Sequence, residues 1–415
     1  MDSEIGRIGC TVYDELASEL KPKGYIYSFS LEKHLHIVVD KMSYRETTNI
    51  LNMLYHRDMC KSLKTSTIED HIESAGKKIG KSIYSKSTSI LGNTPGLSED
   101  GLVENIDIIP GNIKAPLSSE EAAINKCDVL KEKIVYYNSD KALCDQITNT
   151  DLIEMIEYDP NDCVYISIDD VGVDHQKDRR KDGGSKNGKV VENTVIHIQS
   201  REGEYTITKV GMKQAFTILV GYLINNHLLE NRHLYFFSDG AMNIKSNIEL
   251  YFKPLCPYVL ILDWYHLEKR MNELLSMALK GSKEDRHEIR YVLDMKLWAG
   301  NFDKAIEYIS NIDAKFIKNI NWLNEAIDYL RRKSPYAACY ALRKLLGYRN
   351  SSNPAEKAND LIVANRQKHN GMSWSYTGSG ALASISSLIR NNEIDSWIEN
   401  HEIRFSPGPT IEEAA

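Results

Sequence analysis

The sequence predicts an α/β protein: a mixed sheet whose last helix is reached only after an all-helical block, with a helical region ahead of the sheet. Three observations carry this. The runs CVYISID (163–169), HLYFFSD (233–239) and PYVLILD (257–263) are short, nearly continuous apolar stretches rich in β-branched and aromatic residues, the pattern of strands buried on both faces. VIHIQS (195–200) and EYTITKV (204–210), joined by REG, read as a β-hairpin between the first and second of them. From residue 264 to about 346 only helical patterns recur, including HEIRYVLDMKLWAG and FDKAIEYISNI and YAACYALRKLLGY.

Taken in order, the elements begin with a helical region over about 30–82. SYRETTNILNMLYHRD places Ser43 three residues before Glu46, a capping-box spacing, and sets Tyr44, Thr47, Leu51 and Leu54 on one face. After the polar break MCKSLKT, Ser66 and Glu69 repeat the box, and Ile68, Ile72, Ala75 and Ile79 form a stripe that leaves His71, Lys77, Lys78 and Lys81 outward. Two helices with a basic second member resemble a helix-turn-helix; a helical hairpin that only packs is the alternative. SKSTSILGNTPGLSEDG reads as linker or surface loop, and DIIPGN as a short strand or extended connection. MKQAFTILVGYLINNHLL and GAMNIKSNIELYF are the helices after the hairpin and after the second strand; NPAEKANDLIVANRQK is the helix after the block. The expected division is 1–85 helix-turn-helix region, 86–158 linker, 159–281 first part of the sheet core, 282–350 helical insertion, 351–405 last part of the core, and 406–415 flexible tail.

Composition bounds the partners. The 415 residues are 42% hydrophobic and 26% charged, ordinary for a globular chain. No run of 18 apolar residues occurs, so no membrane span is expected, and MDSEIGRIGC lacks the basic and apolar parts of an export signal. Seven cysteines without a CxxC pair argue against a disulfide framework or zinc knuckle and fit a reducing cytoplasm. The net charge of −7 means that nucleic-acid binding would need local basic patches. HQKDRRKDGGSKNGKV (175–190) has six Lys/Arg against two Asp, with Arg179, Arg180 and Lys181 at its centre. A solvated loop is its bland reading and phosphate contact its sharper one. RQKHNGMSWS adds Arg366, Lys368 and His369, then Trp374, a core residue or a platform for stacking on a base.

Strand, hairpin, helix, strand, helix, strand, helix is the order of an RNase H-like sheet. Asp169 (with Asp170 beside it), Asp239 and Asp263 each end a predicted buried strand. A carboxylate there costs desolvation unless it caps a helix, is paired or meets a cation. One such aspartate reads as a cap; three read better as a divalent-metal site, and Mg²⁺ suits carboxylates plus water and phosphate oxygens. Two ions about 3.5–4 Å apart can activate an attacking oxygen and stabilise the leaving one at a phosphodiester. A helix must supply a third acid. Glu356 is the candidate, although Asn353, Pro354 and Glu356 also make an ordinary capping arrangement, and spacing alone does not separate it from Glu268 or Asp360.

LYFFSDGAMNIKSNIELYFKPLCPYVLILDWYHLEKRMNELL, together with NPAEKANDLIVANRQKHNGMSWSYTGSGAL, resembles the core of DDE-type insertion-sequence transposases, bacterial relatives of Mutator-like elements. The resemblance covers about residues 160–390. It implies that Asp169, Asp239 and Glu356 are the catalytic acids and ligands of Mg²⁺ or Mn²⁺, in two sites. Asp263 and His266 match a Cys-or-Asp, two residues, His signature that helps order the active site. Relatives often have Asp-Gly where this chain has Asp169-Asp170; Asp169 continues the strand, and Asp170 would face the other way. The resemblance further implies a transposase that binds the inverted repeats of its own mobile element and carries out DNA strand cleavage and transfer. Double-stranded DNA at element ends and target would be its partner, a homo-oligomer the synaptic form, and the bacterial cytoplasm, on the nucleoid when DNA-bound, its location. Lys77 and Lys78 join the expected DNA contacts. A transposase-derived DNA-binding regulator without catalysis, or an RNase H-like nuclease, are the alternative functions.

Overall fold

A computed structural model describes residues 29–54, 63–113, 120–143, 145–148, 162–176, 190–230, 232–368 and 372–408. Within them the chain is α/β, built on one mixed five-stranded sheet in the order β3-β2-β1-β4-β5. β1 (Cys163–Asp174), β2 (Val190–Ser200) and β3 (Gly203–Val210) are an antiparallel meander; β4 (His233–Ser238) and β5 (Tyr258–Leu262) run parallel to β1. All three expected apolar runs are strands, and the expected hairpin is β2–β3. One difference bears on the site. β1 does not stop at Asp169 but continues to Asp174, because β2 pairs with it throughout, from Tyr165↔Gln199 to Asp174↔Val190. Its pairing with β4 ends at Ser167↔Phe237, so Asp169 stands just beyond the point where the sheet loses its neighbour on that side.

Alternation along the strands divides the core. Leu234 and Phe236 of β4 join Val164, Ile166 and Ile168 of β1 on one face, whereas Tyr235 and Phe237 turn to the other, as a two-residue period requires. The first face is covered by α3 (Thr65–Gly92), α5 (Met212–Asn225), α6 (Met242–Phe252) and α13 (Tyr376–Arg390), numbered in chain order with α1 (Phe29–Lys41), α2 (Tyr44–Leu54) and α4 (Glu120–Asn138). The second face carries the helical block: α7 (Trp264–Ala278), α8 (Lys283–Trp298), α9 (Phe302–Ser310), α10 (Ile320–Lys333) and α11 (Tyr340–Leu345). α12 (Asn353–Asn359) passes directly into a nine-residue π-helix, Asp360–Lys368, where a single α-helix was expected, and α14 (Ile394–Asn400) follows α13.

The N-terminal helices depart from expectation in extent. Ser43 and Glu46 form their reciprocal box, with Ser43 Oγ accepting from the Glu46 N–H at 3.2 Å and Glu46 Oε2 from the Ser43 N–H at 3.0 Å. Ser66 and Glu69 do not: α3 has already begun at Thr65, so both lie inside the helix. α3 also runs to Gly92, through the expected boundary at 85 and the start of the expected linker. Its Ile68, Ile72, Gly76 and Ile79 are buried. A Cβ added to Gly76 would stand 2.2 Å from the Ala381 carbonyl oxygen of α13, and one on Gly80 would stand 2.9 Å from Ser384 Oγ. The helix read as a DNA-recognition element is thus packed backbone to backbone on α13. Within 86–158, residues 120–138 are helical, and DIIPGN, read as strand or extended chain, forms two 3₁₀ turns over 106–113. The expected tail is tied down at its start, where Gly408 exchanges both backbone hydrogen bonds with Glu204 at the edge of β3; 409–415 lie outside the described residues. Among the described residues no helix is long and apolar enough to cross a membrane.

Candidate active site

Three parallel strands in adjacent positions deliver their carboxyl ends to one edge of the sheet, where open α/β sheets gather functional groups. Asp239 directly follows β4 and Asp263 directly follows β5, while Asp169 sits on the stretch of β1 that outlasts β4. Each has a different job.

Asp263 is fully buried and holds two helices at once. Its Oδ1 accepts the His266 N–H at 3.0 Å, capping α7, and its Oδ2 accepts the N–H of Ser352, the residue before α12. Burial acts to raise its pKa, but the hydrogen bonds from His266 and Ser352 prevail and hold it below the ordinary carboxylate value. The bland reading, an N-cap, describes one oxygen of Asp263, and the other does something that reading lacked: it fixes the start of the helix that carries Glu356.

Glu356 faces His266, not its own helix terminus. The expected capping arrangement of Asn353, Pro354 and Glu356 does not form; the helix starts after Ser352 without a side-chain cap. Instead Glu356 Oε1 lies 3.5 Å from His266 Nε2, and Asp263 Oδ1 lies 3.3 Å from His266 Nδ1. His266 thus stands among the acids, which favour its protonated form. Its pKa is raised, first by Asp263 and further by Glu356 and Asp239, against the effect of burial. The rival third acids are placed elsewhere: Glu268 pairs with Arg290 of α8 at 3.2 Å, and Asp360 is exposed at the start of the π-helix.

Asp169 is the most strained electrostatically. Burial pushes its pKa up to about 6, with Asp239 adding to the rise and His266 opposing it. Its Oδ1 accepts the Asp170 N–H at 2.9 Å and its Oδ2 accepts the Asn359 side-chain amide. Asp170 turns to the other side of the strand, as alternation predicted, accepting from Thr194 Oγ1 at 2.7 Å and from Asn243 Nδ2 of α6 at 3.0 Å. Asp239 Oδ1 accepts the Ala241 N–H at 2.7 Å, closing the turn into α6. Asn359 and Asn243 were missed by the sequence reading. Asn359 could have been found, since it stands three residues after Glu356 and so shares its helix face.

The donors suit a hard cation in kind: carboxylate oxygens of Asp169 and Asp239, plus the buried Oδ1 of Asn359, which has no hydrogen-bond partner among the described residues. They are not assembled as a metal group, however; among the described residues no three His, Cys, Asp or Glu side chains come together to hold an ion. Glu356 is instead engaged by His266.

The expected DNA contacts separate into three sets. Lys77, Lys78 and Lys368 are exposed. Arg179, Arg180 and Lys181 lie outside the described residues. Arg366 and Trp374 are corrected by the structure, being 1% and 5% exposed. The Arg366 guanidinium donates from Nε to the Val39 carbonyl of α1 at 3.0 Å and lies beside the Tyr44 and Trp374 rings, 5.3 and 5.1 Å from their centroids. The Trp374 indole donates to the Gln367 carbonyl at 3.0 Å, and its backbone pairs with the end of β1 through Asp174 and Gln176. Both residues join the N-terminal helices to the core, and neither is open to a base or a phosphate.

No family model and no curated protein matches the chain. A solved structure described as the Drosophila P element transposase strand transfer complex is similar over 70% of this chain and 76% of that one, at 8% identity and a TM-score of 0.20. A likeness that loose supports neither fold nor function.

Proposed function

We propose that this chain is a DDE-type transposase with an RNase H-like core, acting on the ends of its own mobile element by metal-dependent strand cleavage and strand transfer. One observation carries the reading: Asp239 directly follows β4, Asp169 stands on parallel β1 just beyond the last residue that pairs with β4, and Asp263 and His266 bring Glu356 to the same edge. Asp169, Asp239 and Glu356 would hold Mg²⁺ or Mn²⁺, Glu356 leaving His266 to do so. The metal would supply Lewis-acid activation of the attacking water or 3′-hydroxyl and charge for the leaving oxygen. The chain's own part is to keep Asp169 ready. A largely buried carboxyl with its pKa pushed up to about 6 is uncomfortable as an anion, so a cation beside it relieves a cost already present in the fold.

A second reading has its own support. The acids are satisfied by protein partners in this arrangement, Asp169 by Asn359 and Glu356 by His266, which is what a DNA-binding regulator without catalysis would show. One experiment separates them. Full-length protein is incubated with Mg²⁺ and a duplex carrying the inverted repeats that bound its own gene. Cleavage at the repeat ends, lost in Asp169→Ala, Asp239→Ala and Glu356→Ala while DNA binding persists, is the expected result. Binding without cleavage in the unaltered protein would favour the regulator. Cleavage that ignores the repeat sequence would favour a nuclease.

A further inference from the structure

The Asp239 turn has a support that comes from outside the sheet. Lys333, the last residue of α10 in the helical block, donates from Nζ to the carbonyl oxygen of Gly240, the residue after Asp239. Its ammonium is also held over the Tyr329 ring, 5.7 Å from the centroid. Burial lowers its pKa, with Arg332 of the same helix and Lys245 of α6 adding to the fall and Asp239 opposing it. Arg331 and Arg332 beside it are occupied with Asp328 and Glu325, but Lys333 reaches inward. The chain is shaped for that reach. Gly240 has φ +79, and a Cβ there would stand 2.4 Å from Lys333 Nζ, so the glycine both makes the turn and leaves room for the lysine. The turn itself is tightened by the Gly240 N–H on Ser238 Oγ at 3.1 Å and the Ala241 N–H on Asp239 Oδ1.

We propose that Lys333 is a positioning residue of the acidic site, through which the helical block fixes the Asp239–Ala241 turn and so aims the Asp239 carboxylate; its catalytic consequence rests on the strand-cleavage reading above. The block would then contribute to the chemistry and not only to the shape of the molecule. A half-buried donor aimed at the backbone next to a reacting carboxylate acts as outer support, whose loss commonly costs about 10–100-fold in activity.

The test uses the full chain with Lys333→Met, which keeps the stem and removes the donor, and Lys333→Arg, which keeps a donor and the charge. Two quantities are read: amide hydrogen exchange at Gly240 and Ala241, and the Mg²⁺-dependent cleavage rate at saturating repeat DNA alongside the Kd for that DNA. Lys333→Met should speed exchange at those two amides and lower the cleavage rate by about 10–100-fold with Kd unchanged, and Lys333→Arg should restore both in large part. Unchanged exchange at Gly240 and Ala241 in Lys333→Met overturns the proposal whether or not the protein cleaves DNA. A fall in DNA affinity with an unchanged saturated rate overturns it too, by making Lys333 a DNA contact. If exchange responds but the unaltered protein cleaves nothing, the support role stands and only the strand-cleavage reading fails.

Discussion

Replacing Asp169 with Asn should make the protein more stable at pH 8 and less stable at pH 4. Asp169 titrates near 6 in the fold against about 3.8 for an ordinary aspartate. Between those values the folded state holds a proton that the unfolded chain has lost, so stability falls as pH rises through the window and levels off above about 6. The full penalty in the ionised state has a ceiling of about 3 kcal/mol, and part of it belongs jointly to Asp239 and Asp170. Asn escapes that penalty. It also loses one acceptor, because Asp169 takes the Asp170 N–H on one oxygen and the Asn359 amide on the other, at a cost of about 1 kcal/mol. The balance favours the variant by about 1–2 kcal/mol at pH 8 and disfavours it by about 1 kcal/mol at pH 4. For a chain of 415 residues each kcal/mol moves Tm by about 1 °C, so urea unfolding across pH is the sharper assay. A variant destabilised equally at both pH values would refute the reasoning, since the carboxylate would then carry no burial cost. Mg²⁺ should stabilise the unaltered protein and not Asp169→Asn.

Other outcomes follow from the same geometry. Asp263→Asn should lose about 1–3 kcal/mol of stability, because both carboxylate oxygens accept backbone N–H groups and an amide can accept only one; unfolding indistinguishable from the unaltered protein would mean the double acceptance is absent in solution. Gly76→Ala should cost about 1–3 kcal/mol, since its Cβ would meet the α13 backbone at Ala381, with no loss of cleavage rate at low temperature; a neutral effect in urea unfolding would show that α3 and α13 can part freely. Acid pH should slow cleavage as Asp169 takes up its proton near 6, and a rate flat from pH 8 to pH 5 would remove Asp169 from the chemistry.

What the sequence made legible was whatever burial writes locally. Strands enclosed on both faces must be apolar throughout, so β1, β4 and β5 stood out, and with them the aspartates at their ends. The continuation of β1 through Asp170–Asp174 did not, because DDVGVD reads as polar and only its pairing with β2 makes it strand. The helix over 120–138 was passed over although EEAAINKCDVLKEKIVYYN is rich in strong helix formers. Long-range partners left no local trace. Arg366 looked like a surface cation until the Val39 carbonyl, 327 residues away, was seen to receive it, and nothing near Lys333 announces Gly240. The π-helix after α12 is equally silent in sequence, since it changes the hydrogen-bond step and not the residue types.

The two backbone groups that meet at Asp263 have a further consequence. The chain departs into the helical block at Trp264, whose N–H donates to the Asn350 carbonyl at 3.2 Å, and two residues later Ser352 returns to Asp263 itself. Exit and re-entry are thus one address, and the block between them is a loop closed there and packed on the second face of the sheet. Closing a longer loop costs entropy only logarithmically, about 0.6 kcal/mol for each doubling of its length. Residues added to the turns between the block's helices would therefore put little strain on the anchor, and Glu356 would arrive at the same place, so long as the helices that cover the second face and carry Lys333 are kept.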